Sequence, residues 1–98
     1  MIFRFYLSGP MTGIPDANRA AFTEAAALLR SRGAQVTNPA ENGLSDDESW
    51  AEHLRTDIRD MMDCNAIHML PGWSSSKGAR LEHHIAQQLG FAITGAKA

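Results

Sequence analysis

Short apolar runs alternate along the chain with longer segments in which apolar residues recur at helical spacing. The first run, residues 2–7, is β-branched and aromatic and stops at Ser8-Gly9-Pro10, which is typical of a strand entering a loop. Similar runs predict strands over 34–37, 65–70 and 91–93. Helical spacing predicts three helices between them: from an N-cap at Asp16 to a stop at Gly33, from a capping box at 45–48 to about Asp63, and from the loop 71–78 to about Leu89.

This order, β-α-β-α-β-α-β, favours a parallel sheet with helices on both faces. We expect one domain spanning residues 1–98: a small three-layer α/β/α domain of the Rossmann or flavodoxin-like type, with strand order 2-1-3-4. Ligands of such sheets bind beyond the carboxyl ends of the strands, where the strand order reverses. The predicted site therefore lies between the loops that follow the first and third strands.

Composition removes several classes of partner. The 98 residues carry a formal net charge of −2, so no positive field attracts a nucleic acid polymer. No apolar run approaches the ~20 residues of a membrane helix, and no signal peptide is visible. The single cysteine, Cys64, ends an apolar helical pattern and is expected to be a small buried hydrophobe. Together these features predict a cytoplasmic protein.

The loop from Gly72 to Gly78 is a candidate anion site. It is rich in serine and leads directly into a helix, whose free N–H groups and dipole favour negative charge. Ser76 adds a hydroxyl donor and Lys77 a positive charge, although the segment is not a Walker A loop. The alternative is a serine-rich turn that caps the helix.

Two carboxylates could perform chemistry near this loop. Glu82 lies in the first turns of the third helix. The helix dipole alone explains a carboxylate at this position, but the position is also close to the proposed site, as a nucleophilic carboxylate would have to be. Asp57 falls in the middle of the apolar stripe formed by Trp50, Leu54 and Met61 on the second helix. A carboxylate there requires a partner or a function, although it could also cap a loop.

The remaining polar candidates are weaker. Tyr6 ends the first strand, where its hydroxyl needs a partner and could orient a carboxylate. None of the four histidines has a metal-binding spacing such as H-E-x-x-H. His68 on the third strand is expected to be a core or rim residue. We therefore expect neither a metal nor a cofactor.

In these segments the chain resembles the nucleoside 2-deoxyribosyltransferase superfamily, and in particular its small phage and bacterial members. The resemblance rests on the order and spacing of Tyr6-Leu7-Ser8-Gly9-Pro10-Met11, Asp57, Asn65-Ala66-Ile67-His68-Met69-Leu70 and Ser76-Lys77-Gly78-Ala79-Arg80-Leu81-Glu82. Asn65 stands where many members have an aspartate.

The resemblance implies a mechanism and a set of roles. A glutamate attacks the anomeric carbon of a deoxyribonucleoside or its 5′-monophosphate, the base leaves, and water or a second base then takes the sugar. Glu82 would be the nucleophile, Tyr6 would orient it, and Asp57 would either act near the leaving base as a general acid or hold the sugar.

The resemblance also implies how the substrate is held and how the protein assembles. Ser76 would hold a 5′-phosphate, as a serine six residues before the glutamate does in the monophosphate N-glycosidase branch. The backbone amides of Ser8 and Gly9, which directly precede Pro10, would assist in holding the phosphate. Lys77 would add a positive charge, and the Lys77-Gly78 segment would add backbone donors. Family members share sites between subunits, so a homodimer or higher homo-oligomer is expected.

Three functions are compatible with these features. The first is an enzyme that breaks the N-glycosidic bond of a nucleotide. The second is a module that binds or senses a nucleotide at the same loop without turnover. The third is an interaction domain with a vestigial pocket. The small-molecule partner of the first two is a nucleotide or nucleoside.

Overall fold

The computed structural model describes residues 2–98, which form four strands and three α-helices in strict alternation. In chain order these are β1 (Arg4–Ser8), α1 (Arg19–Ser31), β2 (Gln35–Thr37), α2 (Trp50–Met61), β3 (Ala66–Met69), α3 (Lys77–Gln88) and β4 (Ala92–Gly95). Short 3₁₀ turns at Pro15–Asn18, Pro39–Glu41 and Trp73–Ser75 join them.

The four strands form one parallel sheet in the order β2-β1-β3-β4. This confirms the predicted α/β class and strand order. β1 lies at the centre, where Phe5 aligns with Val36 of β2 on one side and with Ala66 of β3 on the other. The carboxyl ends of β1 and β3 lie side by side, because Ser8 aligns with Met69.

The alternation of side chains along β1 separates two layers of core. Phe5 and Leu7 point to one face and belong to the hydrophobic cluster that includes Phe22 of α1. Tyr6 points to the other face and packs in a cluster with Met61 of α2 and Ala79 of α3. Since strand side chains repeat every two residues, Ser8 shares the face of Tyr6, and both are directed towards the layer of α2 and α3.

The beginning of α1 differs from the expectation. Asp16 is not its N-cap, because residues 15–18 form a 3₁₀ turn and α1 begins only at Arg19. Asp16, Ala17 and Asn18 adopt left-handed backbone conformations with φ of 52°, 52° and 62°. The side chain of Asn18 donates a hydrogen bond to the carbonyl oxygen of Pro10 at 3.0 Å, which ties this turn to the loop after β1.

The second helix also begins later than expected. Ser49 is its N-cap, and the Ser49 hydroxyl accepts a hydrogen bond from the amide of Glu52 at 3.1 Å. Ser45, the predicted cap, instead accepts a bond from the amide of Asp47 within a turn. Both serines have a glutamate three residues later, so the sequence pattern alone does not distinguish them.

The other boundaries shift by a few residues. β1 begins at Arg4 rather than residue 2, α2 ends at Met61 rather than near Asp63, and β4 is Ala92–Gly95 rather than 91–93. Asn65 precedes β3 and accepts a hydrogen bond from the Arg4 amide at 2.8 Å. No helix within residues 2–98 is both long and apolar enough to cross a bilayer.

The capping of α2 gives a test of this fold. Ser49→Ala should lower the free energy of unfolding by about 1 kcal/mol, because the amide of Glu52 loses its acceptor. Ser45→Ala should change it by less than about 0.5 kcal/mol, since Ser45 supports only an exposed turn. Urea denaturation of both variants measures the difference, and the reverse ranking would contradict the position of the helix start.

Candidate functional site

The centre of the site is the carboxyl group of Glu82, which is buried between two hydroxyls of β1. Glu82 is only 4% exposed. The Ser8 hydroxyl donates a hydrogen bond to Oε1 at 2.6 Å, and the Tyr6 hydroxyl donates to Oε2 at 3.1 Å. Both donors come from alternate residues of one strand, so the sheet itself orients the two oxygens of the carboxyl group.

The helix α3 places Glu82 against the sheet. Its buried side chains are Ala79, Glu82 and Ala86, which lie on one face at spacings of three and four residues. The two alanines are small, so the helix can approach β1 closely at this face. Glu82 therefore occupies a core position of an amphipathic helix, and its carboxyl group must be satisfied by protein groups rather than by bulk water.

Burial governs the acidity of this carboxyl group. Loss of solvation raises the pKa of Glu82 to about 8, although the hydrogen bonds from Ser8 and Tyr6 favour the charged form and the nearby charge of Asp57 disfavours it. Burial also raises the pKa of Tyr6 well above its ordinary value. Tyr6 consequently remains a neutral hydroxyl donor throughout the physiological range.

Asp57 approaches the same region from α2. It is half-buried, and Asn42 donates a hydrogen bond to its Oδ1 at 3.3 Å. Burial raises the pKa of Asp57 to about 6, while the charge of His53, one helical turn earlier, lowers it. The apolar stripe predicted around Asp57 is buried only at the C-terminal end of α2: Met61 is fully buried, whereas Trp50 at the N-terminal end is 42% exposed.

Glu82 and Asp57 border one cleft with a volume of about 680 Å³. Its walls come from the loop after β1, the turn before α1, the segment 39–48, the inner face of α2 and the first turns of α3. Gly9 lets the loop after β1 lie against the residue that follows β3, because a Cβ at this position would lie 2.7 Å from the Cβ of Leu70. The cleft lies at the carboxyl ends of β1 and β3, the place that the strand order predicts.

The predicted binding residues fall into two groups. Gly9, Ser76 and Gly78 line the cleft. Ser8 lies beneath it and contributes its side chain to Glu82, whereas only its amide was expected to take part. Pro10 and Lys77 are not among the lining residues.

Ser76 and Lys77 have structural partners. The Ser76 hydroxyl caps α3 by accepting a hydrogen bond from the amide of Ala79 at 3.2 Å. The Lys77 ammonium group lies 4.5 Å from the ring centre of Trp50, in a cation–π contact between α3 and α2. The capping alternative for the serine loop thus describes Ser76, and the charge of Lys77 is directed towards Trp50.

Several lining residues had no clear signal in the sequence. Arg19, Asn42 and His53 all reach the cleft, and they come from three separate segments. His53 could have been found, since it lies four residues before Asp57 and therefore on the same face of a helix. Arg19 and Asn42 could not, because each approaches the cleft only through the path of a loop.

The cleft is acidic. Five carboxyl groups line it, from Asp16, Asp46, Glu48, Asp57 and Glu82, together with one guanidinium group from Arg19 and the imidazole of His53. This distribution disfavours strongly anionic ligands unless Arg19 can bind the negative group. Across residues 2–98, no three His, Cys, Asp or Glu side chains are grouped as metal ligands.

Sequence comparison places the chain in a family. A family model described as "Domain of unknown function (DUF4406)" matches residues 3–95, and the chain belongs to that family. No curated protein matches the chain.

Comparison of structures identifies the fold. The chain is similar to a 2-deoxyribosyltransferase from Leishmania mexicana, with a TM-score of 0.72 and 20% identity over 95% of this chain and 63% of that chain. It is also similar to a 2-deoxyribosyltransferase from Bacillus psychrosaccharolyticus, with a TM-score of 0.71 and 17% identity over 94% of this chain and 70% of that chain. The predicted resemblance to nucleoside 2-deoxyribosyltransferases is confirmed for the fold. The chain spans less than two thirds of the Leishmania structure.

The buried carboxyl group makes stability depend on pH. Between the ordinary pKa of 4.5 and the folded value of about 8, the folded state holds a proton at Glu82 that the unfolded state has lost. The contribution of Glu82 to stability is thus fully present below pH 4.5 and is lost as pH rises towards 8, by up to about 1.4 kcal/mol per pH unit. Glu82→Gln should remove this loss and be more stable than wild type at pH 8.

Urea denaturation between pH 4 and pH 9 measures this difference. The advantage of Glu82→Gln should grow across the range and level off above pH 8. The matched control is Glu24→Gln on the exposed side of α1, which should leave the pH dependence unchanged. Parallel profiles for wild type and Glu82→Gln would show that Glu82 does not carry a proton in the folded state.

Proposed function

We propose that this protein is an enzyme that cleaves or transfers the N-glycosidic bond of a deoxynucleoside or its 5′-monophosphate, with Glu82 as the nucleophile. The observation that carries the proposal is the Glu82 carboxyl group, buried at the edge of a cleft and held through both oxygens by Tyr6 and Ser8. A carboxylate fixed in this way is preorganised to attack an anomeric carbon. The fold shared with 2-deoxyribosyltransferases supports the same chemistry.

The reaction proceeds in two displacements. An oxygen of ionised Glu82 forms a bond to the anomeric carbon while the bond from that carbon to the base nitrogen breaks, and Asp57 gives a proton to the departing base. Water or a second base then attacks the anomeric carbon and releases Glu82. Asp57 takes a proton from the attacking group in this second step.

The two carboxyl groups together hold the single proton that this exchange requires. With pKa values of about 6 for Asp57 and about 8 for Glu82, the pair holds one proton between those pH values. The reactive arrangement has the proton on Asp57 and the negative charge on Glu82. Burial favours the opposite placement of the proton, and the hydrogen bonds from Ser8 and Tyr6 offset part of that cost because hydroxyl donors stabilise a carboxylate. The reactive arrangement is therefore a minor form of the free protein.

A second function is favoured by the same acidity. Because burial raises the pKa of Glu82 to about 8, most of the free protein near pH 7 holds Glu82 as a neutral acid. A neutral carboxyl group can donate a hydrogen bond to a ligand but cannot attack carbon. The alternative is therefore a nucleotide-binding or sensing module in which Glu82 serves as a ligand contact.

The wider setting of this activity follows from the same proposal. We place the protein in the cytoplasm, acting on a small molecule and assembled as a homodimer or higher homo-oligomer. The large apolar side chains exposed on this domain, among them Met62, Leu81 and Leu89, are compatible with such assembly. The assembly itself stays a prediction.

Release of free base tests the enzymatic function. The protein is incubated with each deoxynucleoside and each 5′-monophosphate, and free base is measured by chromatography. Glu82→Ala and Glu82→Gln should lower the rate by about 10³-fold or more, because the attacking oxygen is lost. Glu48→Gln, a change to an exposed carboxylate that also lines the cleft, should keep the rate within about threefold of wild type.

Intact-mass measurement distinguishes the two functions. The enzyme should show a covalent adduct of the sugar that is absent in Glu82→Gln. Tight binding of a nucleotide with no base release and no adduct, retained in Glu82→Gln, would instead establish the binding module.

The pH profile tests the pairing of the two acids. In the wild-type enzyme kcat/KM should be bell-shaped, with limbs near pH 6 and pH 8 that belong to the Asp57–Glu82 pair. Asp57→Asn removes both the proton donor and the charge that raises the pKa of Glu82. The activity of Asp57→Asn should be lower than that of the wild type. It should rise with pH to a plateau, without the fall at alkaline pH.

A neighbouring residue on the same helix is the control. Asp60→Asn changes the net charge by the same amount but does not border the cleft. Both limbs should persist in this variant. An alkaline limb that survives in Asp57→Asn would assign the second proton to a group other than Asp57.

A further inference from the structure

Arg19 is distinguished by its place in an acidic cleft. It is the first residue of α1, and within residues 2–98 it is the one lysine or arginine that lines the cleft. Its Nη2 donates to Asp46 at 2.8 Å, its Nη1 donates to the carbonyl oxygen of Ala40 at 3.2 Å, and its Nε lies 3.3 Å from Asp16. The guanidinium group therefore joins the turn before α1 to the segment 39–48 at the cleft wall.

The side chains first expected to bind a phosphate both have partners within the protein, although the hydroxyl hydrogen of Ser76 is not used by its bond to Ala79. Ser76 accepts the amide of Ala79 as a helix cap, and the ammonium group of Lys77 lies over Trp50. A phosphate that enters this cleft meets five carboxyl groups and only one fixed positive charge. Among the lysines and arginines of residues 2–98, Arg19 is therefore the one whose charge a phosphate in this cleft would meet.

We propose that Arg19 recognises the phosphate of a nucleotide bound in the cleft, by exchanging its ion pair with Asp46 for one with the phosphate. The proposal rests on the proposed function, since it assumes that the cleft binds nucleosides or nucleotides. A guanidinium fork matches two phosphate oxygens as well as it matches a carboxylate. The Nη2 that now contacts Asp46 would be the first donor to turn to the phosphate.

The exchange costs little in energy. The side chains of Arg19 and Asp46 are 38% and 74% exposed, and water screens an ion pair of this kind so that it contributes little stability. The released Asp46 carboxylate returns to water rather than being left buried. Asp46 thus acts as a competitor of the phosphate, and the Arg19–Asp46 pair sets the preference of the cleft between neutral and anionic substrates.

Equilibrium binding tests this role apart from catalysis. Calorimetry with deoxyadenosine and deoxyadenosine 5′-monophosphate is performed on protein that carries Glu82→Gln, so that turnover does not interfere. Adding Arg19→Gln should weaken the monophosphate by about tenfold or more, as expected for loss of a charge-assisted contact, and leave deoxyadenosine within about twofold. Adding Asp46→Asn should strengthen the monophosphate several-fold, because the competing carboxylate is gone.

A second ion pair, formed by another arginine of α1, supplies matched controls. Arg30 pairs with Glu41 at 2.9 Å, and neither residue lines the cleft. Arg30→Gln and Glu41→Gln change the net charge by the same amounts as the Arg19 and Asp46 variants. Both should leave the ratio of the two affinities unchanged, which separates a direct contact from a general change in the field of the protein.

The double variant guards against a structural effect. Arg19→Gln with Asp46→Asn leaves no unpaired charge from this pair, and it should still lose the preference for the monophosphate. Equal ratios of affinity in wild type, Arg19→Gln and the double variant would overturn the role of Arg19 alone. If neither ligand binds, the titrations are repeated with the other deoxynucleosides and their 5′-monophosphates, and failure of all of them to bind would overturn the proposed function together with the role of Arg19.

Discussion

The site depends on one contact, the burial of the Glu82 carboxyl group against the hydroxyls of Tyr6 and Ser8. The contact exists because β1 is an inner strand of a parallel sheet and its alternate residues, Tyr6 and Ser8, face α3. It also requires small residues beside Glu82, since Ala79 and Ala86 let the helix approach the strand. The carboxyl group is carried by α3 and held by two hydroxyls of β1. It therefore cannot rotate away from the cleft, and its oxygens keep one orientation.

The same contact links stability to reactivity. Burial that raises the pKa of Glu82 to about 8 makes its ionised form costly, and an ionised carboxylate without water is a strong nucleophile. The protein offsets part of that cost with two hydroxyl donors rather than with a positive charge. A neighbouring cation would stabilise the carboxylate further, but it would also reduce its tendency to form a bond to carbon.

The two sides of the cleft are built differently. The side of β1 and α3 is continuous with the hydrophobic core, through Tyr6 and Ala79. The opposite side, from α2 and residues 39–48, buries Pro39 and Met61 and presents polar groups such as Asn42, Asp57 and His53 to the cleft. The chemistry-bearing oxygen is thus fixed, whereas the groups that would contact a base or a phosphate are half-exposed.

The sequence by itself determined the order of elements, the parallel sheet and the end of the sheet at which a site forms. The hydrophobic period predicts each element from its own residues. The right-handed connection of parallel strands then restricts how the whole chain can be arranged. The candidates Glu82, Asp57 and Tyr6 were also accessible, because they combine a polar group with a core position or a recognised pattern. Helix starts were not, since Ser45 and Ser49 carry the same local signal and packing chooses between them.

Only the tertiary structure decided which polar groups meet. The partners in the site are separated by many residues: Ser8 and Glu82 by 74 positions, and Asn42 and Asp57 by 15. Lys77 was expected at the anion site, but its flexible side chain lies over Trp50, a residue of another helix. Arg19 reaches the cleft because residues 16–18 adopt left-handed backbone conformations directly before α1. Such contacts depend on the path of loops, and a loop's path is set by what it packs against rather than by its own residues.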